Sequence, residues 1–399
     1  MVSYYQHQYK FRKFANSIMA IVLFDNHLRE QLFPLTLTKA VADLRCGILT
    51  FKERWEIKSK QEVFISSADY LQPLYKTIAD TDNIWIDSSV IAGQELTDTI
   101  LSLQKDEALV DDKGLIAGRI NVFSNTDTLS QFKKIIEVKD VKRLEFTFQI
   151  FQWNDLLLRE DFKLLTEGRT SQPISHTNQI VHQDDIFIEE GASVEFAILN
   201  STSGPIYIGK DAQVWEGAAI RGPFALGENA LLKMGTKIYG ATSIGPNCAV
   251  GGEVKNVVMI GHSNKAHDGY LGDSVIGEWC NLGAGTSNSN VKNTGGDVKL
   301  WDHYSKEFIS AGNKCGVIMG DYSRVAINSC INTGSVIGVC SNVYGAGLLH
   351  KVIRNFTWGP DQKYDFDKAM DDINNWKKMK HKEITEAEKL VLKYIFDNE

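Results

Sequence analysis

GGEVKNVVMIGHSNKAHDGYLGDSVIGEWCNLGAGT, residues 251–286, carries a beat of about six residues in which an aliphatic side chain is followed by glycine. Leu271 with Gly272, Ile276 with Gly277 and Leu282 with Gly283 mark it. Such a hexad describes a parallel β-helix, in which aliphatics stack inward and small residues let the chain turn. Lys255, His267, Tyr270 and Asn281 are set into the same stretch, and the beat requires none of them. Reactive side chains gathered on neighbouring coils point to a site.

Outward from this stretch the beat continues. Ile208, Leu226, Ile244, Val250, Ile260 and Ile337 are each followed by glycine. A β-sandwich would show longer alternating strands with turns every 8–12 residues or so, so a β-helix is expected over 186–347. The beat lapses over 287–312, which fits a loop ejected from one coil, and such insertions lie on binding faces. Residues 19–165 read as an α/β domain, with strands at 19–24, 62–66, 83–87 and 144–151 and a helical stretch at 49–60. That alternation favours a mostly parallel sheet. The polar segment 166–185 reads as a linker, residues 1–18 as an N-terminal extension and 348–399 as a helical tail. In the tail Ala369, Ile373 and Trp376 fall on one helical face, and Thr385 with Glu388 forms a capping box.

The chain has 399 residues, a formal charge of −7 and an isoelectric point near 5.8, which argues against a nucleic-acid surface. Its six cysteines are scattered without a CxxC pair and read as reduced thiols of a cytoplasmic protein. The basic start precedes only a short apolar run that ends at Asp25, so neither a cleaved leader nor a membrane span is expected.

The segments GPIYIG, IRGPFALG, KMGTKIYGATSIGPNCAVGGEVKN, AHDGYLGDSVIGEWCNLGAGT, GVIMGDYS and NTGSVIGV resemble the bifunctional glucosamine-1-phosphate acetyltransferase and N-acetylglucosamine-1-phosphate uridylyltransferase family, in its alternate, Bacteroidetes-type branch. The resemblance spans residues 19–360, specific in the β-helix and looser before 150. It implies an α/β nucleotidyltransferase-like domain, a left-handed parallel β-helix acyltransferase domain and a C-terminal helical tail, assembled as a homotrimer. It places the general base on His267, the positioning Asn on Asn281, and substrate contacts on Arg221, Lys255 and Tyr270. The backbone amide facing the thioester oxygen falls on Ala284, and a phosphate contact to acetyl-CoA falls on Lys299.

The chemistry of these residue types agrees. An amine attacks a thioester only when neutral, and an imidazole can take its proton near neutral pH. The developing oxyanion needs a fixed donor, which a backbone N–H in the Gly283, Ala284, Gly285 corner would supply. A sugar phosphate calls for Lys or Arg, here Lys255 and Arg221. A zinc reading of His262 and His267 lacks its third ligand, because residues 186–261 contain no other histidine.

Residues 29–49 resemble the opening of sugar-1-phosphate nucleotidyltransferases, with FPLTLT after the phosphate loop. FDNHLREQ stands in place of that loop and holds no glycine, which a close backbone cradle ordinarily needs. Arg29, Arg45 and Asp87 are the candidate nucleotide-binding residues; no metal ligand is assigned, and Mg²⁺ is implied only for nucleotidyl transfer. The expected function is acetylation of an amino-sugar 1-phosphate, followed by transfer of a nucleotidyl group from UTP. Two rivals stand: a single-activity nucleotidyltransferase whose β-helix only trimerises it, and a non-catalytic sugar-nucleotide-binding protein.

Overall fold

The computed structural model describes residues 20–79, 82–124 and 128–399. The N-terminal extension 1–18 and the first residue of the strand expected at 19–24 lie outside the described residues. The chain forms two compact units. Of the described residues, one holds those up to Arg29, Lys39–Leu44 and those between Leu49 and Glu145; the other holds Glu30–Thr38, Arg45–Ile48 and Phe146–Glu399. Composition had suggested one boundary near 165, but helix Asn154–Thr166 and two short early segments group with the second unit. The reason is a set of long-range hydrogen bonds: Asn154 accepts from Gly47 N at 2.7 Å and donates to Ala241 O at 2.9 Å, while Asp161 accepts from Ile48 N at 2.9 Å.

In the first unit a six-stranded sheet runs Val63–Ser66, Ala20–Phe24, Asn83–Asp87, Gly114–Ile120, Glu107–Asp111, Lys134–Glu137. The first three strands are parallel, but Gly114–Ile120 pairs antiparallel with both neighbours. The sheet is therefore mixed. Its central strands Ala20–Phe24 and Asn83–Asp87 are buried on both faces, as their unbroken aliphatic runs require. Ile21, Leu23, Ile84 and Ile86 enter one core, and Val22, Phe24 and Trp85 the other. Helix Phe51–Ser59 begins at a capping box of Thr50 and Glu53.

The run 144–151, expected as a strand, is not one: Gln149–Gln152 is a helical turn preceded by irregular chain. Phe148, Ile150 and Phe151 are buried there without ladder partners. A short apolar run fits a buried helix as well as a strand, and periodicity alone does not separate them.

The second unit is dominated by a parallel β-solenoid. A thirteen-stranded sheet supplies two of its faces, joined where the long strands Glu253–Gly261 and Tyr270–Glu278 pass from one to the next. A ten-stranded sheet forms the third face. Inward aliphatics such as Leu199, Ile208, Leu226, Leu232, Ile276 and Val325 build a continuous core. The aliphatic-glycine beat has a steric cause: a Cβ on Gly227 would come within 2.7 Å of the Gly245 backbone in the next coil. Only glycine lets stacked corners approach so closely.

Solenoid strands continue past 347 to Thr357–Trp358. The 287–312 segment leaves the coil after Ser287–Asn288 and includes an antiparallel hairpin, Lys299–Asp302 with Glu307–Ser310. The tail forms helices Phe366–Lys378 and Glu386–Asp397, the second opened by the Thr385–Glu388 box. It packs on the solenoid: Lys380 Nζ donates to Asn247 O at 2.6 Å, and Tyr322 hydroxyl to Glu388 at 3.1 Å.

Candidate functional site: a corner cleft on the solenoid

Along one edge of the solenoid, successive corners line a cleft of about 550 Å³. Trp215, Lys233, Gly251, His267, Ala284 and Asn328 contribute from consecutive coils. His267 is exposed, and among the described residues no protein group hydrogen-bonds its ring. Its corner depends on glycine. Gly252 has φ +73°, and a Cβ there would meet His267 O at 2.9 Å and Gly269 O at 2.8 Å.

Ala284 occupies the next corner of the same cleft. The amides on either side of it are engaged, Gly283 N with Val325 O at 2.9 Å and Gly285 N with Asp268 O at 3.0 Å. Ala284 N–H has no acceptor among the described residues, so the turn leaves it as an available donor.

Lys255 and Tyr270 are brought together on the adjoining face, where strands Glu253–Gly261 and Tyr270–Glu278 pair in register. Lys255 Nζ sits 3.1 Å from both carboxylate oxygens of Asp273. Asn256 donates to Asp273 at 2.8 Å, and Asn290 donates both to Asp273 and, at 3.1 Å, to the Tyr270 hydroxyl. Burial, then the Asp273 charge, pushes the Tyr270 phenol up to about 12, so it remains a hydrogen-bond donor at neutral pH. Arg221 is exposed at the end of its strand on this same face.

Asn281 lies elsewhere, on the ten-stranded sheet between Asn264 and Arg324. Lys299 is exposed at the foot of the inserted hairpin, paired with Ser310, and lines neither the cleft nor the Lys255 cluster. Asp273, Asn290 and the buried Lys265 escaped the sequence reading. Lys265 carried a signal, since it occupies a position that other coils fill with an aliphatic.

In the first unit, the carboxyl ends of the parallel strands gather Asp25, Ser67, Asp87 and Ser89, the edge where open α/β sheets bind ligands. Arg29 is buried with its guanidinium 3.3 Å from the Tyr70 hydroxyl. Asp87 is 1% exposed, and its oxygens accept from Asn26 at 2.7 Å, from Ser89 N at 2.9 Å and from the Arg143 guanidinium. Arg143 also holds Asp111 at 2.8 Å. With its lone pairs occupied this way, Asp87 does not fit a divalent cation, and among the described residues no group of three or more carboxylate, histidine or cysteine side chains is placed to hold one. Arg45 belongs to the second unit, where it is buried and donates to Ile260 O at 3.2 Å and to Ile48 O.

Residues 21–170 match the model of a family described as sugar nucleotidyl transferase. The chain is 34% identical over 99 residues to a bifunctional sugar-1-phosphate nucleotidylyltransferase/acetyltransferase of Sulfurisphaera tokodaii, covering 25% of this chain and 24% of that protein. It is 29% identical over 106 residues to the bifunctional protein GlmU of Methanocaldococcus jannaschii, covering 27% and 26%. The chain thus spans about a quarter of the length of the curated relatives it matches. Among solved structures, the polySia specific acetyltransferase NeuO matches 44% of this chain and 82% of its own, at 13% identity and a TM-score of 0.27, too slight a likeness to build on. The fold is a nucleotidyltransferase domain followed by a hexapeptide-type β-solenoid and C-terminal helices.

Proposed function

We propose that the corner cleft is an acyl-transfer site acting on the amine of an amino-sugar 1-phosphate, with acetyl-CoA as donor. One observation carries the reading: an open imidazole, His267, and an unengaged backbone amide, Ala284, line the same cleft on consecutive coils. His267 takes the proton that the attacking amine must lose. Ala284 N–H donates to the oxyanion as the tetrahedral centre forms. Lys255 and Arg221 face the sugar phosphate, with Asp273 holding the Lys255 ammonium in place, and the Tyr270 phenol donates to the acceptor. Asn281 and Lys299, which line neither the cleft nor the Lys255 cluster, are given no role in this step. The exposed Met234 and Ile327 at the cleft rim suit a second copy of the chain, so that a homotrimer closes the site. A soluble, cytoplasmic enzyme is the corresponding setting; among the described residues no helix is long and apolar enough to cross a membrane.

The match over 21–170 supports a second activity, nucleotidyl transfer from UTP to the sugar 1-phosphate. Mg²⁺ is not assigned a place in it.

Purified protein is given glucosamine 1-phosphate and acetyl-CoA, and thiol release is followed. His267→Ala should lower kcat by about 10²–10⁴-fold and leave the melting temperature unchanged, because the ring is exposed. Thiol release indifferent to this change sinks the assignment and favours a solenoid that only assembles the enzyme. Pyrophosphate release on adding UTP and Mg²⁺ tests the second activity, and no product from either donor would leave a binding protein.

A further inference from the structure

Inward positions on the ten-stranded face form a column: Val194, Val214, Leu232, Val250, Lys265, Leu282, Val325, Val343. Every member is at least nine-tenths buried, and Lys265 is 2% exposed. Placing an ammonium where neighbouring coils have aliphatics costs several kcal/mol of solvation. A leucine would fill the same volume without that penalty. The charge sits on the one coil whose next corner carries His267.

Lys265 Nζ donates to Gly251 O at 3.0 Å and to His267 O at 2.5 Å. Gly251 belongs to the preceding coil at the same edge, and a Cβ on it would lie 2.6 Å from Ala266 O. The ammonium therefore ties two stacked corners from inside, one of them through the carbonyl of the histidine itself.

We propose that Lys265 is the positioning residue of this site, fixing the His267 peptide and with it the direction in which the ring leaves the corner. The proposal rests on the acyl-transfer reading of the cleft. Burial pulls the Lys265 ammonium down to about 8, opposed by the Asp268 charge, so it remains largely protonated at neutral pH. Lys265 does not line the cleft, so it acts through His267 and touches no substrate.

The test is Lys265→Met, which keeps an unbranched chain in the column. Hydrogen exchange of the amides bonded to this corner, Glu253 N on Gly269 O at 3.2 Å and Gly285 N on Asp268 O at 3.0 Å, is read together with melting temperature and steady-state kinetics. Corner exchange should rise about tenfold, and kcat should fall about 10²-fold, the cost of a misplacement near 1 Å. The KM for the acceptor and the melting temperature should hold. Unchanged exchange, or unchanged kcat with faster exchange, overturns the proposal. So does a kcat loss that merely follows a falling melting temperature. His267→Ala run alongside separates the two ideas: if it leaves thiol release intact, the acyl-transfer reading fails, and corner exchange alone decides whether Lys265 holds the peptide. Should the variant not fold, Lys265→Gln, whose amide can still donate to one of the two carbonyls, is read in the same way, and unchanged exchange and kcat refute the tie.

Discussion

Replacing Asp25 with asparagine should make the first unit more stable at neutral pH. The carboxyl follows the first strand and is 6% exposed. It accepts from Ser67 hydroxyl at 2.5 Å and from Val41 N at 3.1 Å, with the Arg29 charge nearby. Burial outweighs these favourable contacts and raises its pKa from 3.8 to about 6. A carboxyl raised in the folded state adds stability that is complete below the unfolded value and lost as pH climbs through the folded one. The window is therefore about 3.8 to 6. At about 1.4 kcal/mol per pH unit, folding with Asp25 ionised is roughly 3 kcal/mol less favourable than folding with it protonated. Asparagine mimics the protonated acid: its oxygen accepts from Val41 N, and its amide faces Ser67 hydroxyl, which can turn to accept. Urea unfolding of both proteins from pH 3.5 to 7.5 should show a stability difference that grows by about 3 kcal/mol across the window and then levels off. A variant less stable than its parent at pH 7, by an amount that vanishes in acid, would show that cations hold Asp25 ionised and would refute the reasoning.

Gly252→Ala should disturb the His267 corner, because the new Cβ meets two carbonyls below 3 Å and the residue sits at φ +73°. A loss of about 1–3 kcal/mol in thermal unfolding and a drop in thiol release are expected. Arg143→Met leaves Asp87 and Asp111 buried and unpaired, each at most 3% exposed in its side chain. Denaturant melts should show a loss of about 3–5 kcal/mol, partly recovered in acid as the carboxylates protonate.

The solenoid was legible because its rule is local and repeated. Each aliphatic-glycine pair reports one inward side chain and one corner where coils nearly touch, and the capping box at Thr385 likewise needs only four residues. The run 144–151 was not legible, since its alternating apolar residues satisfy a buried helix equally well. The grouping of 30–38 and 45–48 with the second unit rests on hydrogen bonds to residues more than a hundred positions away, such as Gly47 N to Asn154. No local pattern encodes that. At the site, His267 and Ala284 could be placed on one edge by counting coils. The Asp273 carboxylate that holds Lys255 could not, because it turns at a corner with φ +46°, where Asp reads as an ordinary turn residue.

The two units treat charge in opposite ways, and the contrast bears on where chemistry resides. At the strand ends of the first unit, Asp87 and Arg143 are buried and committed to each other, to Asn26, to Ser89 and to Asp111. A phosphate or cation arriving there would have to break contacts worth several kcal/mol before making its own. FDNHLREQ also brings no glycine to wrap a phosphate. On the solenoid the order is reversed. His267 is left open at the surface, while the lysine that breaks the aliphatic column beneath it is bonded to the carbonyls that shape its corner. Functional sites are where polar groups stay unsatisfied at a stability cost. By that criterion, solenoid turnover should survive changes at Asp87 that unfold the first unit, and nucleotidyl transfer, where it occurs, should demand rearrangement of the Asp87–Arg143 pair. An Asp87→Asn protein that keeps its stability and loses only pyrophosphate release would refute this, because it would make Asp87 a ligand rather than a partner of Arg143.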